Sequence, residues 1–203
     1  GRFCNYYAAA MVSDCTGVIL AGGKSKRMGE DKALLLMDGK PFIQYIKEVM
    51  KKIFSEVIIA AEKKKEYEFL KLHIEEDIVK NAGPLGGIYT ALTFASTQWS
   101  FIVSCDVPFI TKELIEYICN FSSTSEIKIP SFNEKLHPLC GMYSKACLPV
   151  IATQLQQNNF KVQNIFPLLP VEIIPITKEL SFFSPQLLQN INRKDEYETF
   201  FSS

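Results

Sequence analysis

The chain has 203 residues, of which 47% are hydrophobic and 22% are charged, and its 22 basic and 22 acidic residues leave no formal net charge. This composition favours a folded globular protein over a disordered one, and the length predicts a single domain with one substantial core. Nucleic-acid binding is disfavoured without net positive charge, so any affinity for phosphate must be local. No apolar run reaches the roughly 18–20 residues of a membrane span.

The six cysteines show no Cys-x-x-Cys spacing, which disfavours a zinc site. Reduced thiols in a cytoplasmic protein are the expected state. Residues 1–10 precede Met11 and lack the long apolar region of a signal peptide, so we interpret them as a leader added for expression. Residues 11–203 are then the folded domain.

Short apolar runs alternate with amphipathic stretches from Val12 onward, which is typical of βα units on a parallel sheet. The first predicted extended segment ends at Leu20. The others cover residues 34–37, 57–61, 73–77, 99–104, 127–130, 140–143 and 171–175. The predicted helices follow Pro41, Glu62, the loop G-P-L-G-G at 83–87, the capping residue Thr111, Lys145 and Asn192. The sequence therefore predicts a single doubly wound, three-layer Rossmann-like α/β domain with a mostly parallel sheet.

Glycine or acidic residues follow three of the predicted strands, at Leu20–Gly23, Asp77 and Asp106. Ligands of doubly wound sheets bind beyond the carboxyl ends of the strands, so these residues predict the position of an active site.

The first of these strand ends opens the stretch V-I-L-A-G-G-K-S-K-R-M-G-E-D-K at 18–32. Adjacent glycines let a backbone approach a ligand closely, and free N–H groups with nearby basic side chains suit phosphate. A Gly-Gly turn beside a solvated basic patch is an equally good interpretation of this stretch alone. The spacing matches neither the Walker loop nor the dinucleotide-binding motif.

The two strand-end acids are open to two interpretations each. Asp106 lies between a buried strand and Val107-Pro108, where a carboxylate suits Mg²⁺ bound together with phosphate oxygens. It also suits a turn or a helix cap. Asp77 either contacts a ligand or simply ends its strand.

The stretch L-A-G-G-x-S-x-R-M-G-x-D-K resembles the signature of a nucleotidyltransferase superfamily, and its long form ending in Asp31-Lys32 is similar to the bacterial molybdenum cofactor guanylyltransferases. The resemblance extends from about Thr16 to Glu198 and is weaker after Asn120. It implies a Mg²⁺-dependent enzyme that transfers GMP from GTP to molybdenum-bound molybdopterin and releases pyrophosphate. It implies catalytic roles for Lys32, Arg27 and Asp106, with the metal on Asp106.

The resemblance also implies which residues bind the two substrates. The nucleotide is expected at Leu20, Ala21, Gly22, Gly23, Lys32, Asp77, Gly83 and Asp106. The pterin phosphate is expected at Lys135, His137, Asn190 and Asn192, because H-P-L-x-G-M-Y at 137–143 and N-I-N at 190–192 are similar to segments of the family. For His137 alone, a structural histidine is an equally good interpretation.

Two departures from the family pattern matter. Ala60-Ala61 stands where the family can place an asparagine, and R-K-D follows Asn192 in place of T-P-E. A cytidylyltransferase acting on molybdopterin or on a sugar or alcohol phosphate is the nearest alternative, and a non-catalytic nucleotide or cofactor carrier is another. We expect a monomer whose other contacts, with acceptor or cofactor-insertion proteins, are transient.

Overall fold

A computed structural model describes residues 14–22 and 31–190, apart from the side chain of Lys32. The strands are β1 (Cys15–Ala21), β2 (Leu36–Met37), β3 (Lys40–Pro41), β4 (Val57–Ala61), β5 (His73–Glu76), β6 (Trp99–Ser104), β7 (Ile127–Phe132), β8 (Lys135–Leu136), β9 (Cys140–Ser144) and β10 (Val171–Pro175). The α-helices are α1 (Phe42–Lys51), α2 (Gly83–Phe94), α3 (Lys112–Asn120) and α4 (Leu148–Gln156). Short 3₁₀-helices cover Lys32–Leu34, Lys64–Leu70, Lys145–Cys147 and Val162–Leu168.

The strands form one large sheet in the order β10-β7-β9-β6-β1-β4-β5, with β8 paired to β7, while β2 and β3 form a separate hairpin. The pairs β1–β4, β1–β6, β4–β5 and β7–β10 are parallel. Strand β9 runs antiparallel to both β6 and β7. The predicted mostly parallel sheet is confirmed.

Helices cover both faces of this sheet. On one face, Ile43 and Ile46 of α1 share a buried cluster with Leu114 of α3. On the other face, Leu85 of α2 and Ile151 of α4 belong to a second buried cluster. Strand β1 contributes alternate side chains to the two clusters, as expected of a strand buried on both faces. The doubly wound, three-layer architecture is therefore confirmed.

The apolar runs predicted as strands of the large sheet lie where the sequence placed them, because β-branched residues pack well on a sheet that is buried on both sides. The predicted extended segment 34–37 was partly wrong, since Leu34 ends a 3₁₀-helix and only Leu36–Met37 is a strand, in the separate hairpin. Pro41 directly precedes α1, where its fixed φ and missing N–H cost nothing. Thr111 caps α3, and its hydroxyl accepts a hydrogen bond from the Leu114 N–H at 3.3 Å.

The G-P-L-G-G sequence is the beginning of a helix and not the loop that the sequence predicted. Helix α2 already starts at Gly83, so the predicted start at Ile88 was wrong. Pro84 fits the first turn because its missing N–H has no partner to lose there. The glycines allow close packing: a Cβ on Gly86 would lie 2.8 Å from the Ala82 Cβ, and one on Gly87 would lie 3.0 Å from the Leu20 Cδ2.

Two further stretches differ from prediction. The charged stretch from Glu62 to Leu70 forms a 3₁₀-helix over its second part, and Tyr67 and Leu70 bury their side chains although most neighbours are exposed. The predicted connection 133–138 contains β8, which pairs with β7. The predicted terminal helix after Asn192 lies outside the described residues. No helix in the described part of the chain is long and apolar enough to cross a bilayer.

Candidate active site

The parallel strands β6, β1, β4 and β5 end at one edge of the sheet. Their register places Leu20 opposite both Ala60 and Ser104, and Ala21 opposite Ala61. The pairing continues beyond β5, because the Asp77 N–H donates to the Ala61 carbonyl at 2.9 Å. The structure therefore brings the ends of these strands together, as expected for the binding edge of such a sheet.

The end of β1 offers a ligand mainly main-chain groups and few side-chain groups. Leu20 and Ala21 are buried, and Gly22 has a φ of 96°, which favours glycine. Gly23, Lys24, Lys26 and Arg27 lie outside the described residues. The predicted nucleotide-binding stretch is thus described only as far as Gly22.

Asp31 organises the backbone where the chain re-enters the described fold. Its Oδ1 accepts a hydrogen bond from the Ala33 N–H at 3.0 Å, and its carbonyl oxygen accepts one from the Leu34 N–H at 3.0 Å. Its Oδ2 accepts a hydrogen bond from the Tyr67 hydroxyl. Asp31 therefore caps the short helix that begins at Lys32. The sequence pattern predicted no role for Asp31 beyond the family motif and gave no sign of Tyr67.

Asp106 lies two residues beyond the end of β6. Its side chain is half-buried, and its N–H lies 3.4 Å from the Ser104 Oγ. Burial raises the pKa of the intervening Cys105 thiol well above its usual value, and the nearby carboxylates of Asp31 and Asp106 raise it further. The two carboxylates thus lie near the same buried thiol.

Asp106 places a carboxylate, a ligand type that magnesium accepts, at the strand edge. Among the described residues no group of three or more His, Cys, Asp or Glu side chains is placed to hold a metal ion. Magnesium usually binds through one or two carboxylates plus substrate phosphates and keeps several waters, so a site built on Asp106 needs no such group. Asp106 therefore fits the predicted ion in the presence of a nucleotide.

Asp77 carries an unsatisfied oxygen at the same edge. Its Oδ1 is buried and accepts no hydrogen bond from any residue that the structure describes. Burial raises the pKa of this carboxyl from 3.8 to about 6; Lys80 lowers it and Glu62 raises it. Buried polar atoms without a partner are uncommon because each costs free energy. This oxygen is therefore open to a hydrogen bond from a ligand at the edge of the sheet.

The N-terminus of α2 lies over the same end of the sheet. Gly83 is exposed at the first position of this helix, and Gly87 packs against the side chain of Leu20 in β1. The first N–H groups of a helix have no intrahelical partner and carry partial positive charge. Gly83 therefore lies where an anionic ligand at the strand ends is favoured.

A separate cavity of about 390 Å³ lies between the β7–β8 hairpin and the C-terminal part of the described chain. Its lining residues are Phe132, Asn133, Lys135, His137, Pro185, Leu188, Gln189 and Asn190. Three of the four residues predicted to bind the second substrate are thereby brought together. The fourth, Asn192, lies outside the described residues.

His137 is neutral and unsatisfied in this cavity. Its side chain is only 8% exposed, and its Nε2 is buried without a hydrogen-bond partner among the described residues. Burial, together with the positive charge of Lys135, lowers the pKa of the imidazole from 6.5 to about 4. The ring is therefore neutral at pH 7, and Lys135 gives this wall its positive charge.

Two structural features shape the cavity walls. Asn133 and Glu134 have positive φ values of 49° and 60°, which form a tight turn and turn Lys135 back beside Phe132. The Phe132 ring lies 5.7 Å from that of Phe183, so an aromatic contact joins the hairpin to the C-terminal segment. Phe132 was not predicted as a site residue, and its only signal in the sequence is its position three residues before Lys135.

The cavity adjoins the strand edge through one hydrogen bond. The N–H of Ser104, at the end of β6, donates to the carbonyl of Leu139 at 3.0 Å. Ser104 lies two residues before Asp106, and Leu139 lies two residues after His137. The predicted nucleotide site and the predicted second-substrate site are therefore neighbours.

Both alanines at the end of β4 are buried, with Ala60 2% and Ala61 0% exposed. Neither side chain offers a polar group to a base. At the end of β4 the described groups open to a ligand are therefore main-chain groups, beside Asp77, which follows the neighbouring strand β5.

Comparison with known proteins identifies the family. A family model described as "MobA-like NTP transferase domain" matches residues 17–166. A Flavobacterium johnsoniae protein named "Probable molybdenum cofactor guanylyltransferase" is 38% identical over 183 residues, which cover 89% of this chain and 93% of the relative. A crystal structure of an Aquifex aeolicus protein superposes with a TM-score of 0.77 at 30% identity, covering 91% of this chain and 96% of that one.

A second solved structure, molybdopterin-guanine dinucleotide biosynthesis protein A from Archaeoglobus fulgidus, has a TM-score of 0.77 at 22% identity and covers 91% of this chain and 95% of that one. At this identity the likeness supports the fold alone. The family model matches most of the chain, and the Flavobacterium relative aligns over nearly its full length. Together these two matches show the family. The chain belongs to the MobA-like NTP transferase family.

Proposed function

We propose that the protein is a molybdenum cofactor guanylyltransferase, which transfers GMP from GTP to the terminal phosphate of molybdenum-bound molybdopterin and releases pyrophosphate. The observation that supports this proposal is that the strand edge and the cavity are adjacent. Asp106 at the strand edge and His137 in the cavity flank the hydrogen bond between Ser104 and Leu139. Such an arrangement suits a reaction that joins two phosphate-bearing substrates.

In this proposal the strand edge binds GTP. The main chain of Leu20, Ala21 and Gly22 lies along the nucleotide, and the N-terminus of α2 at Gly83 faces its anionic groups. Asp77 accepts a hydrogen bond from the nucleotide through its unsatisfied Oδ1. Gly23, Arg27 and the side chain of Lys32 contribute close approach and positive charge near the phosphates, as the family resemblance implies.

Asp106 would hold the Mg²⁺ ion that the family resemblance implies. A magnesium ion bound there supplies positive charge to the triphosphate. The chain itself positions the two substrates and neutralises charge, and no covalent enzyme intermediate is needed because the pterin phosphate is the nucleophile.

The cavity would hold the second substrate. Lys135 supplies the positive charge for a phosphate, while neutral His137 offers its buried Nε2 and Asn190 an amide for hydrogen bonds. Phe132, held by Phe183, adds a flat apolar wall against which a ring system packs. A cavity of about 390 Å³ falls within the range typical of small-molecule sites.

Two-substrate kinetics of pyrophosphate release test the assignment of GTP to the strand edge and of the pterin substrate to the cavity. Replacing Lys135 with alanine should raise the KM for molybdenum-loaded molybdopterin about tenfold or more and leave the KM for GTP unchanged, because a charge-assisted hydrogen bond to phosphate is lost. Lys161→Ala serves as the control, since Lys161 is exposed and does not line the cavity. A Lys135 variant that changes only the KM for GTP contradicts the assignment of the two sites. Nucleotide binding without any pyrophosphate release by the wild type would favour a carrier.

A further inference from the structure

The Tyr67 hydroxyl lies near the edge of the sheet that is proposed to bind the nucleotide. The side chain is 0% exposed in the 3₁₀-helix Lys64–Leu70, which connects β4 to β5. Its hydroxyl donates a hydrogen bond to the Asp31 Oδ2. A Cβ atom placed on Gly22 would lie 3.8 Å from the same hydroxyl oxygen. One buried phenol thus lies beside the end of β1 and beside the residue that precedes Lys32.

The hydrogen bond between Tyr67 and Asp31 also affects the backbone that follows Asp31. With Oδ2 held by Tyr67, the Asp31 Oδ1 points to the Ala33 N–H at 3.0 Å. The Asp31 carbonyl accepts from the Leu34 N–H at 3.0 Å. These bonds set the backbone of the turn that starts at Lys32. Releasing the carboxylate from the phenol would let it rotate away from the Ala33 N–H and loosen this turn.

The hydroxyl is not required for packing, because a phenylalanine ring would fill the same space. It also remains a donor throughout the neutral and alkaline range. Burial raises the pKa of the Tyr67 phenol well above its usual value, and the hydrogen bond and charge of Asp31 raise it further. A tyrosine here therefore supplies one permanent hydrogen-bond donor to a carboxylate at the site edge.

We propose that Tyr67 is a positioning residue for nucleotide transfer: it holds Asp31 in place and thereby orients the backbone at Lys32 next to the end of β1. The inference rests on the proposed function for its kinetic effect. Its structural part, the link from Tyr67 to the Lys32 turn, is independent of which reaction the enzyme performs.

The test is Tyr67→Phe, which removes only the hydroxyl. Amide hydrogen exchange at Ala33 and Leu34 should become faster, because both N–H groups are bonded to Asp31. The kcat/KM for GTP should fall about 10- to 100-fold, as expected for a lost hydrogen bond to a charged group and a misplaced backbone. The KM for molybdenum-loaded molybdopterin should stay unchanged.

Tyr45→Phe is the matched control. The Tyr45 hydroxyl also donates to a group of the chain, the Met37 carbonyl at 2.7 Å, but it lies on α1 and takes no part in the proposed site. This variant should change neither the GTP kinetics nor the exchange at Ala33. A fall in activity of equal size in both phenylalanine variants would overturn the inference, since it would reflect general loss of packing.

A second variant separates positioning from folding. In Asp31→Ala, adding Tyr67→Phe should cause little further loss of kcat/KM for GTP, because the first change already removes the carboxylate that the Tyr67 hydroxyl bonds. Fully additive losses, or unchanged exchange at Ala33 in Tyr67→Phe, would overturn the inference. If the wild type releases no pyrophosphate, the proposed function fails, and exchange together with calorimetric GTP binding still tests Tyr67. In that case Tyr67→Phe is expected to weaken GTP binding, and unchanged affinity with unchanged exchange would refute its role.

Discussion

Asp77 should reduce the stability of the free protein, and its replacement by asparagine should reveal this. Burial is the main cause that raises the pKa of the Asp77 carboxyl from 3.8 to about 6. A raised pKa means that the folded state binds the proton more tightly than the unfolded state does. The free energy of unfolding contributed by Asp77 therefore falls as pH rises from 3.8 to about 6, and the loss is complete above that range.

The size of the effect follows from the pKa values. Each pH unit between them corresponds to about 1.4 kcal/mol, so a fully retained effect would be about 3 kcal/mol at pH 7. The Asp77 side chain is only half-buried, and solvent screening reduces the effect to about 1 kcal/mol. Asp77→Asn removes the charge and should raise the Tm by about 2–4 °C at pH 7.5 for a chain of this size. Near pH 4 the gain should disappear.

Thermal unfolding of both proteins at pH 4 and pH 7.5 measures this difference, with GTP kinetics measured on the same samples. We expect the more stable variant to be the poorer enzyme, with a kcat/KM for GTP at least about tenfold lower, because the carboxylate is no longer available to the nucleotide. Asp38→Asn is the control, since Asp38 is exposed at the turn between β2 and β3. An Asp77→Asn variant that is less stable at pH 7.5, or equally stabilised at both pH values, would refute the reasoning.

Two further predictions concern the metal site and the packing of the sheet. Asp106→Asn should lower Mg²⁺-dependent turnover about 10³-fold with a nearly unchanged Tm, because the change removes a metal-binding charge from a half-buried site; unchanged turnover would contradict the metal assignment. Gly141→Ala should lower stability by about 3 kcal/mol in chemical denaturation, because its Cβ would lie 2.5 Å from the Lys128 carbonyl oxygen and 2.8 Å from the Ile129 Cγ2. A Gly141→Ala protein as stable as the wild type would contradict the close approach of β7 to β9.

Local pattern was sufficient for the long strands of the sheet and for several helix starts. The run Val57–Ala61 could be assigned from the sequence because a strand buried on both faces reads as a continuous apolar segment. Thr111 was identifiable as a cap because its role depends on residues three positions away. In both cases the cause of the structure lies within the segment itself.

The features that were missed depend on contacts between distant segments. Helix α2 starts at Gly83, and its Gly87 packs closely against Leu20 in the distant strand β1. Tyr67 lies among charged residues, and only the folded chain brings its hydroxyl to Asp31, 36 positions away. Phe132 lines the cavity, and its ring packs against that of Phe183 in the C-terminal segment. Sequence spacing gives no sign of these pairs.

The residues of the candidate site divide in the same way, into those set by local pattern and those set by contacts between distant segments. The position of Asp77 and Asp106 at strand ends followed from the sequence, and the structure places both at one edge. That Lys135 and His137 share a cavity with Asn190 followed only from the family resemblance, since more than 50 residues separate them. The roles of these residues stay predictions, as do the monomeric state and the interpretation of residues 1–10.

The identity of the transferred nucleotide decides whether the protein is a guanylyltransferase. The wild-type protein would be incubated with Mg²⁺, molybdenum-loaded molybdopterin and either GTP or CTP, and the pterin product would be identified by mass spectrometry. The account predicts molybdopterin guanine dinucleotide and an equal amount of pyrophosphate from GTP, with little product from CTP. A cytosine dinucleotide as the main product would contradict the account and assign the protein to the alternative cytidylyltransferase reaction.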